Sequence, residues 1–275
     1  MLDVCLCCLL VGAAATVLTA VPAPEDHRNA DRADEAATAL GRATAVVEYE
    51  ACAGDGEDCL ERRERGTLAG LLARAAVANT TVDGDTLDPT RRGFVAAVRE
   101  RVDRQLGSLA PDAAVGVTAV WRPYESAPLS GRVRAGATPP PTADVHAATL
   151  AMPAGTPVPD AVLRRADDHR DVAEAVAWAV VAKLYPPGRG AAAFRADGAT
   201  GTVALARYRG AADALGVALP DDPAVGEDIV AEPWLVTELA DRLTGDLRER
   251  FDTPTAAAAA VEAGQVRIVV RTWSA

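Results

Sequence analysis

Residues 4–24, VCLCCLLVGAAATVLTAVPAP, carry no charged side chain, and nothing else in the chain limits its architecture as strongly. About 20 consecutive apolar residues are what a helix needs to cross the hydrocarbon core of a bilayer. A cleaved signal peptide calls for a basic n-region and a small-residue cleavage site. Here only Asp3 stands before the run, and the best site, Val21-Pro22-Ala23, leads straight into Pro24. Pro22 and Pro24 beside Glu25-Asp26 read as an exit from lipid. The expectation is a retained transmembrane anchor over residues 1–24, a stalk helix and cysteine loop over 25–60, and an acidic α/β domain over 61–275.

The side of the membrane follows from weaker signals. Arg28, Arg32 and Arg42 come after the apolar run, which by the positive-inside rule favours a cytoplasmic domain; long domains, however, translocate largely regardless of such charges. Cys52 and Cys59 flank the loop CAGDGEDC, whose glycines let the two sulfurs meet, and Asn79-Thr80-Thr81 is a glycosylation sequon. A Cys52–Cys59 disulfide and a glycan at Asn79 both belong to an extracytoplasmic domain. Cys5, Cys7 and Cys8 lie inside the apolar run and read as small hydrophobes.

The formal net charge of −11, from 28 Lys+Arg against 39 Asp+Glu, repels phosphate backbones and excludes nucleic acid as a natural partner. Lys183 is the only lysine and aromatics are 4%. An acidic, lysine-poor, alanine-rich surface suits a halophilic chain, because at about 1 M salt charges are screened within roughly 3 Å.

Apolar periodicity gives a coarse order of elements. A helix is expected from Asp26 to about Cys52, another over Thr67–Ala78, and a third from Arg91 to Leu106 that Gly107 stops. Period-two alternation then marks strands at Val115–Trp121, Arg132–Ala135 and Val145–Met152. A long amphipathic helix is expected from Asp160 to just before Pro186, then helices over Thr202–Leu215, from Pro233 with Leu235, Leu239, Leu243 and Leu247 in register, and a polyalanine turn after Thr253-Pro254. The chain closes on a strand, Val266–Trp273, apolar enough to pair with the middle strands. The fold class is therefore α/β (α+β): the anchor followed by one helix-rich domain with a small, mostly antiparallel sheet.

Motifs for chemistry are sparse. No serine lies in a G-x-S-x-G elbow, Pro187–Gly190 lacks the P-loop pattern, and H-E-x-x-H does not occur. His27 reads as solvated and His146 as a strand residue. Asp168, His169 and Asp171 form the one seed for a general base or metal ligand, though His169 points towards the apolar stripe of its helix. No catalytic, cofactor or metal residue is assigned.

The segments MLDVCLCCLLVGAAATVLTAVPAP and VRIVVRTWSA resemble those of a group of haloarchaeal membrane-anchored proteins of unknown function encoded beside type IV pilus-like or Tad-like secretion ATPases. Asp3 and Pro22 are also similar to the acidic start and the proline of pilin helices. The resemblance implies a non-enzymatic surface component that contacts membrane lipid through its N-terminal helix and other proteins in an assembly. A surface-tethered hydrolase or metal-dependent enzyme, and an extracellular binding or sensor module, are the alternatives.

Overall fold

The computed structural model describes residues 25–54, 58–109, 114–186, 196–219 and 231–274. The expected anchor lies outside them; among the described residues no helix is long and apolar enough to cross a membrane.

Helix α1 (Glu25–Arg42) leads into strands β1 (Thr44–Cys52) and β2 (Cys59–Thr67), then helix α2 (Leu68–Ala78). The short strands β3 (Thr80–Val82) and β4 (Asp85–Thr86), a 3-10 turn at Pro89–Arg91 and helix α3 (Arg92–Leu109) follow. Next come β5 (Ala114–Trp121), β6 (Leu129–Gly136) and β7 (Val145–Pro153), and helices α4 (Asp160–Leu163), α5 (His169–Leu184), α6 (Ala199–Leu215), α7 (Ala231–Arg250) and α8 (Pro254–Ala259). Strand β8 (Gln265–Trp273) is last. The fold is mixed α/β with antiparallel sheets: β1 and β2 form a ribbon, and the main sheet runs β4-β3-β6-β5-β8-β7.

Alternation on the central strands sorts side chains onto two unlike faces. Val115, Val117, Ala119 and Trp121 of β5, Val133 and Ala135 of β6, and Val266, Ile268 and Val270 of β8 are all buried. Helices α1, α2 and α3 pack on this face, α1 over β7 and β8, α2 across β5 to β8, and α3 over β6. Helix α2 can lie close because Gly131 has no side chain; a methyl there would overlap the carbonyl oxygen of Ala76. On the opposite face Thr118, Val120, Val269 and Arg271 are half-buried, whereas Arg132, Arg134, Ala147, Thr149, Ala151 and Arg267 are exposed. That face is bare among the described residues.

The other helices gather around α5 and α7, which make one of the closest helix pairs in the chain. Val172, Val176, Val180 and Leu184 meet Leu235, Leu239, Leu243 and Leu247, all buried, and Ala173, Ala177 and Ala240 keep the contact tight. The Trp121 indole N–H donates to the Ala263 carbonyl at 2.8 Å and the Tyr185 hydroxyl to Leu87 O at 2.7 Å, tying this layer to the sheet.

Several expectations need correction. Residues 44–52 are not the continuation of a helix: Ala45, Val47, Tyr49 and Ala51 alternate inwards, and β1 pairs with β2 in register from Thr44–Thr67 to Cys52–Cys59. Residues 25–60, expected as a stalk, hold α1 and most of this ribbon, both packed on the domain: α1 buries Ala33, Ala36, Ala37 and Leu40, and β1 lies against α3. Helix α3 runs through Gly107. The helix expected from Asp160 breaks after Leu163 and restarts at His169, leaving Val162 46% exposed. Strands β5 to β8, helix α2 with its Thr67 cap, and α6 with left-handed Gly216 behind it follow the expected pattern.

Candidate functional site

The cluster singled out for chemistry is used by the backbone. Asp168 is the N-cap of α5; its carboxylate accepts from the Asp171 amide at 3.0 Å, and Asp171 accepts in return from the Asp168 amide at 3.3 Å and the Asp167 amide at 2.7 Å. This is a capping box, which satisfies amide groups a helix start otherwise leaves open. The Asp171 amide is the main reason the Asp168 carboxyl sits below the usual carboxylate range. His169 turns away from both carboxylates, its Nε2 lying 2.9 Å from the Phe251 carbonyl. That contact ties α5 to the end of α7 and requires the proton on Nε2. Three residues adjacent in sequence are thus divided between a helix start and an inter-helix tie, and no acid–base pair forms.

Cys52 and Cys59 are directly opposite at the end of the ribbon, their Cα atoms 4.1 Å apart and their sulfurs bonded at 2.03 Å. Glu50 brings a carboxylate oxygen beside them, all within 4.8 Å. The thiolate is what ligates a metal, and neither sulfur is one here, so the trio does not fit a metal centre in this state. Asn79 is the C-cap of α2, half-buried, and its Nδ2 donates to the Arg132 carbonyl at 2.8 Å, so the nitrogen a glycan would occupy already bridges to β6. His146 stands on the helix-covered side of β7, its Nε2 3.9 Å from Asp144.

An open groove of about 960 Å³ lies between β1, the start of α3 and α6. Glu48, Glu50, Glu100, Asp213, Arg92 and Arg209 line it, together with alanines and glycines. Its walls approach where Gly93 meets the Glu50 carbonyl and Gly210 meets the ring of Pro89, contacts that allow no side chain. The charged groups at its rim are exposed, and neither a histidine nor a free thiol is among its lining residues.

Two ionic clusters, one half-buried around Glu64 and one around the buried carboxylate of Asp88, were not visible in the sequence. Glu64 accepts from the Tyr49 hydroxyl at 3.0 Å and from Arg91 at 2.9 Å, with Arg74 3.3 Å away. Asp88, 1% exposed, accepts from Thr90 at 2.6 Å and lies 2.8 Å from Arg207, whose guanidinium stacks 4.9 Å over the Tyr185 ring. The first braces the ribbon on the 3-10 turn and the second fastens α6. Both are spent on holding elements together. Only register assembles them, since Glu64 and Arg91, or Asp88 and Arg207, share no local spacing.

The chain belongs to DUF7284, a family of unknown function, whose model matches residues 2–273. No curated protein and no solved structure matches it.

Proposed function

We propose that this member of the family is a membrane-anchored accessory component of a pilus-like or secretory surface assembly, with its domain outside the cytoplasm and no catalytic step of its own. The observation that carries the reading is the fate of Asp168, His169 and Asp171: the one local cluster suited to chemistry is consumed by a capping box and an inter-helix hydrogen bond. The uncharged run at 4–24 supports the anchor, and the opposed Cys52–Cys59 pair supports an oxidising compartment. The resemblance to haloarchaeal proteins encoded beside pilus-like secretion ATPases supplies the kind of assembly.

The test is co-purification from detergent-extracted membranes of the tagged full-length chain with pilus-like or secretion components. Gly12→Leu and Ala14→Leu, which enlarge side chains where small ones let helices approach in a bilayer, are expected to weaken recovery of the components. His169→Ala is expected to leave it intact. A chain found in the soluble fraction, or loss of function in His169→Ala alone with the anchor variants like wild type, overturns the reading.

A further inference from the structure

We propose that the open face of the main sheet docks an acidic protein partner through Arg132, Arg134, Arg267 and Arg271. The inference deepens the assembly role above, and rests on that reading only in taking the partner to be a protein.

The argument begins with where charge is not. The chain holds 39 acidic residues, yet strands β5, β6, β7 and β8 contain none. Their only charged side chains are the four arginines, apart from His146 on the covered side. All four lie at positions that alternation puts on the bare face. Some arginines elsewhere in the described residues are matched to carboxylates, as in Arg74 and Arg91 with Glu64, Arg170 with Glu174 and Asp241, and Arg242 with Asp83. None of the four sheet arginines has an ion pair among the described residues. A chain with surplus acid leaves one face of its sheet wholly basic.

Register fixes the array. Arg132 aligns with Val120 of β5 and, through it, with Arg267 of β8; Arg134 aligns with Thr118 and Val269. Strands two places apart are roughly 10 Å distant, so arginine columns on β6 and β8 flank a strip made of Thr118 and Val120 of β5, with Val269 set between Arg267 and Arg271 in the β8 column. Beyond β8 the surface flattens into the exposed Ala147, Thr149 and Ala151 of β7. An aliphatic strip framed by arginine, with lysine absent, has the composition of a protein–protein contact.

Other occupants fit less well. A second copy using the same face would set arginine against arginine. A bilayer surface is held by large apolar or aromatic side chains that enter the interface; on this face Trp273 is only 3% exposed, lying against Gly116, and Val145 stands at the rim. A nucleic acid carries its phosphates at high density along its whole length and so meets the field of a chain carrying −11 more strongly than a local carboxylate patch on a protein does. A carboxylate-rich protein surface meets both the guanidinium columns, with bidentate geometry available, and the strip between them.

The experiment uses the full-length chain in detergent micelles and fluorescent poly-L-glutamate as probe, read by anisotropy at two salt concentrations. Arg132→Gln, Arg134→Gln, Arg267→Gln and Arg271→Gln are combined in one variant. A control of equal charge change combines Arg62→Gln, Arg63→Gln, Arg99→Gln and Arg104→Gln, and circular dichroism checks that both fold. Wild type and control are expected to bind, more weakly at higher salt, with the face variant about tenfold or more weaker. Absence of binding by wild type, or equal binding by the two variants, overturns the proposal. So does face-dependent binding to phosphatidylglycerol vesicles without binding to poly-L-glutamate, which would assign the face to lipid, or face-dependent self-association, which would assign it to a second copy. Membrane retention and co-purification of the wild-type chain test the assembly role separately, so either idea can fail alone.

Discussion

Asp88 and Arg207 lie 2.8 Å apart with the carboxylate almost wholly out of solvent, although they are not aligned as a hydrogen bond. The pair joins the segment after β4 to α6. Removing the cation alone strands a buried carboxylate, a loss of about 3–5 kcal/mol, whereas replacing both partners by apolar groups costs much less. Arg207→Met is therefore expected to be severely destabilised in urea unfolding, and Asp88→Leu/Arg207→Met to recover part of the loss. A double variant no more stable than the single one would show that the pair is not what holds α6.

The Cys52–Cys59 bond closes a loop of eight residues at the tip of the ribbon, worth roughly 2–3 kcal/mol on the chain-entropy estimate. Cys52→Ala/Cys59→Ala is expected to lose about that much, with amide exchange accelerating first at the Cys52 end of β1. Non-reducing peptide mapping of the native protein should recover one bridged peptide. Alkylatable thiols at both positions would instead place the domain in a reducing compartment.

Two glycines give opposite outcomes. Gly131→Ala drives a methyl into the Ala76 carbonyl and must lift α2 off the sheet, with an expected loss of about 2–3 kcal/mol. Gly107 stands inside α3 with nothing around its absent side chain, so Gly107→Ala should gain about 0.5–1 kcal/mol from backbone entropy. Thermal unfolding of both variants in the same salt reads the difference. Equal shifts would mean that α2 does not approach β6 as closely as described.

Tyr49, Tyr124 and Tyr185 are all held above the usual phenol value, in each case first by burial, with the Asp246 and Asp88 charges adding to it at Tyr124 and Tyr185. The native state therefore keeps these protons after the unfolded chain has begun to release them. Their contribution to stability is whole below about pH 10, the unfolded value, and is lost as pH rises beyond it. The Tyr124 hydroxyl has no aligned partner, so Tyr124→Phe should change little at neutral pH and soften the alkaline fall. Urea unfolding at neutral pH and near pH 11 checks this, and an unchanged alkaline slope would sink it.

The elements legible in the sequence were those that bury one face against a fixed neighbour. The Leu235–Leu247 stripe of α7 and the alternation of β5 and β8 record such burial directly. The ribbon was missed for two different reasons. In β1 the run TAVVEYEAC does alternate, but the alanine stripe of α1 just before it has a helical period that reads on without a break. In β2 the run CLERRERGT has no alternation at all, and only pairing with β1 makes it a strand. The break before α5 was signalled by Asp168 and Asp171 at capping-box spacing, which also reads as one charged helix face. Among the site residues, Cys52 and Cys59 were legible because they are close in sequence. The arginine columns were not, because Arg132 and Arg267 become neighbours only through the β6-β5-β8 register.

The position of β8 has a consequence for how the molecule comes into being. Every hydrogen-bonded neighbour of this strand precedes it in the chain, β7 by more than a hundred residues, and it lies between β5 and β7. Until residues 265–273 have been synthesised, the lane between β5 and the edge strand β7 is vacant, and β7 has no neighbour to pair with. Pairings so distant in sequence form slowly. A nascent chain in that condition has not yet locked its sheet, and β7 stays free to move until β8 arrives beside it.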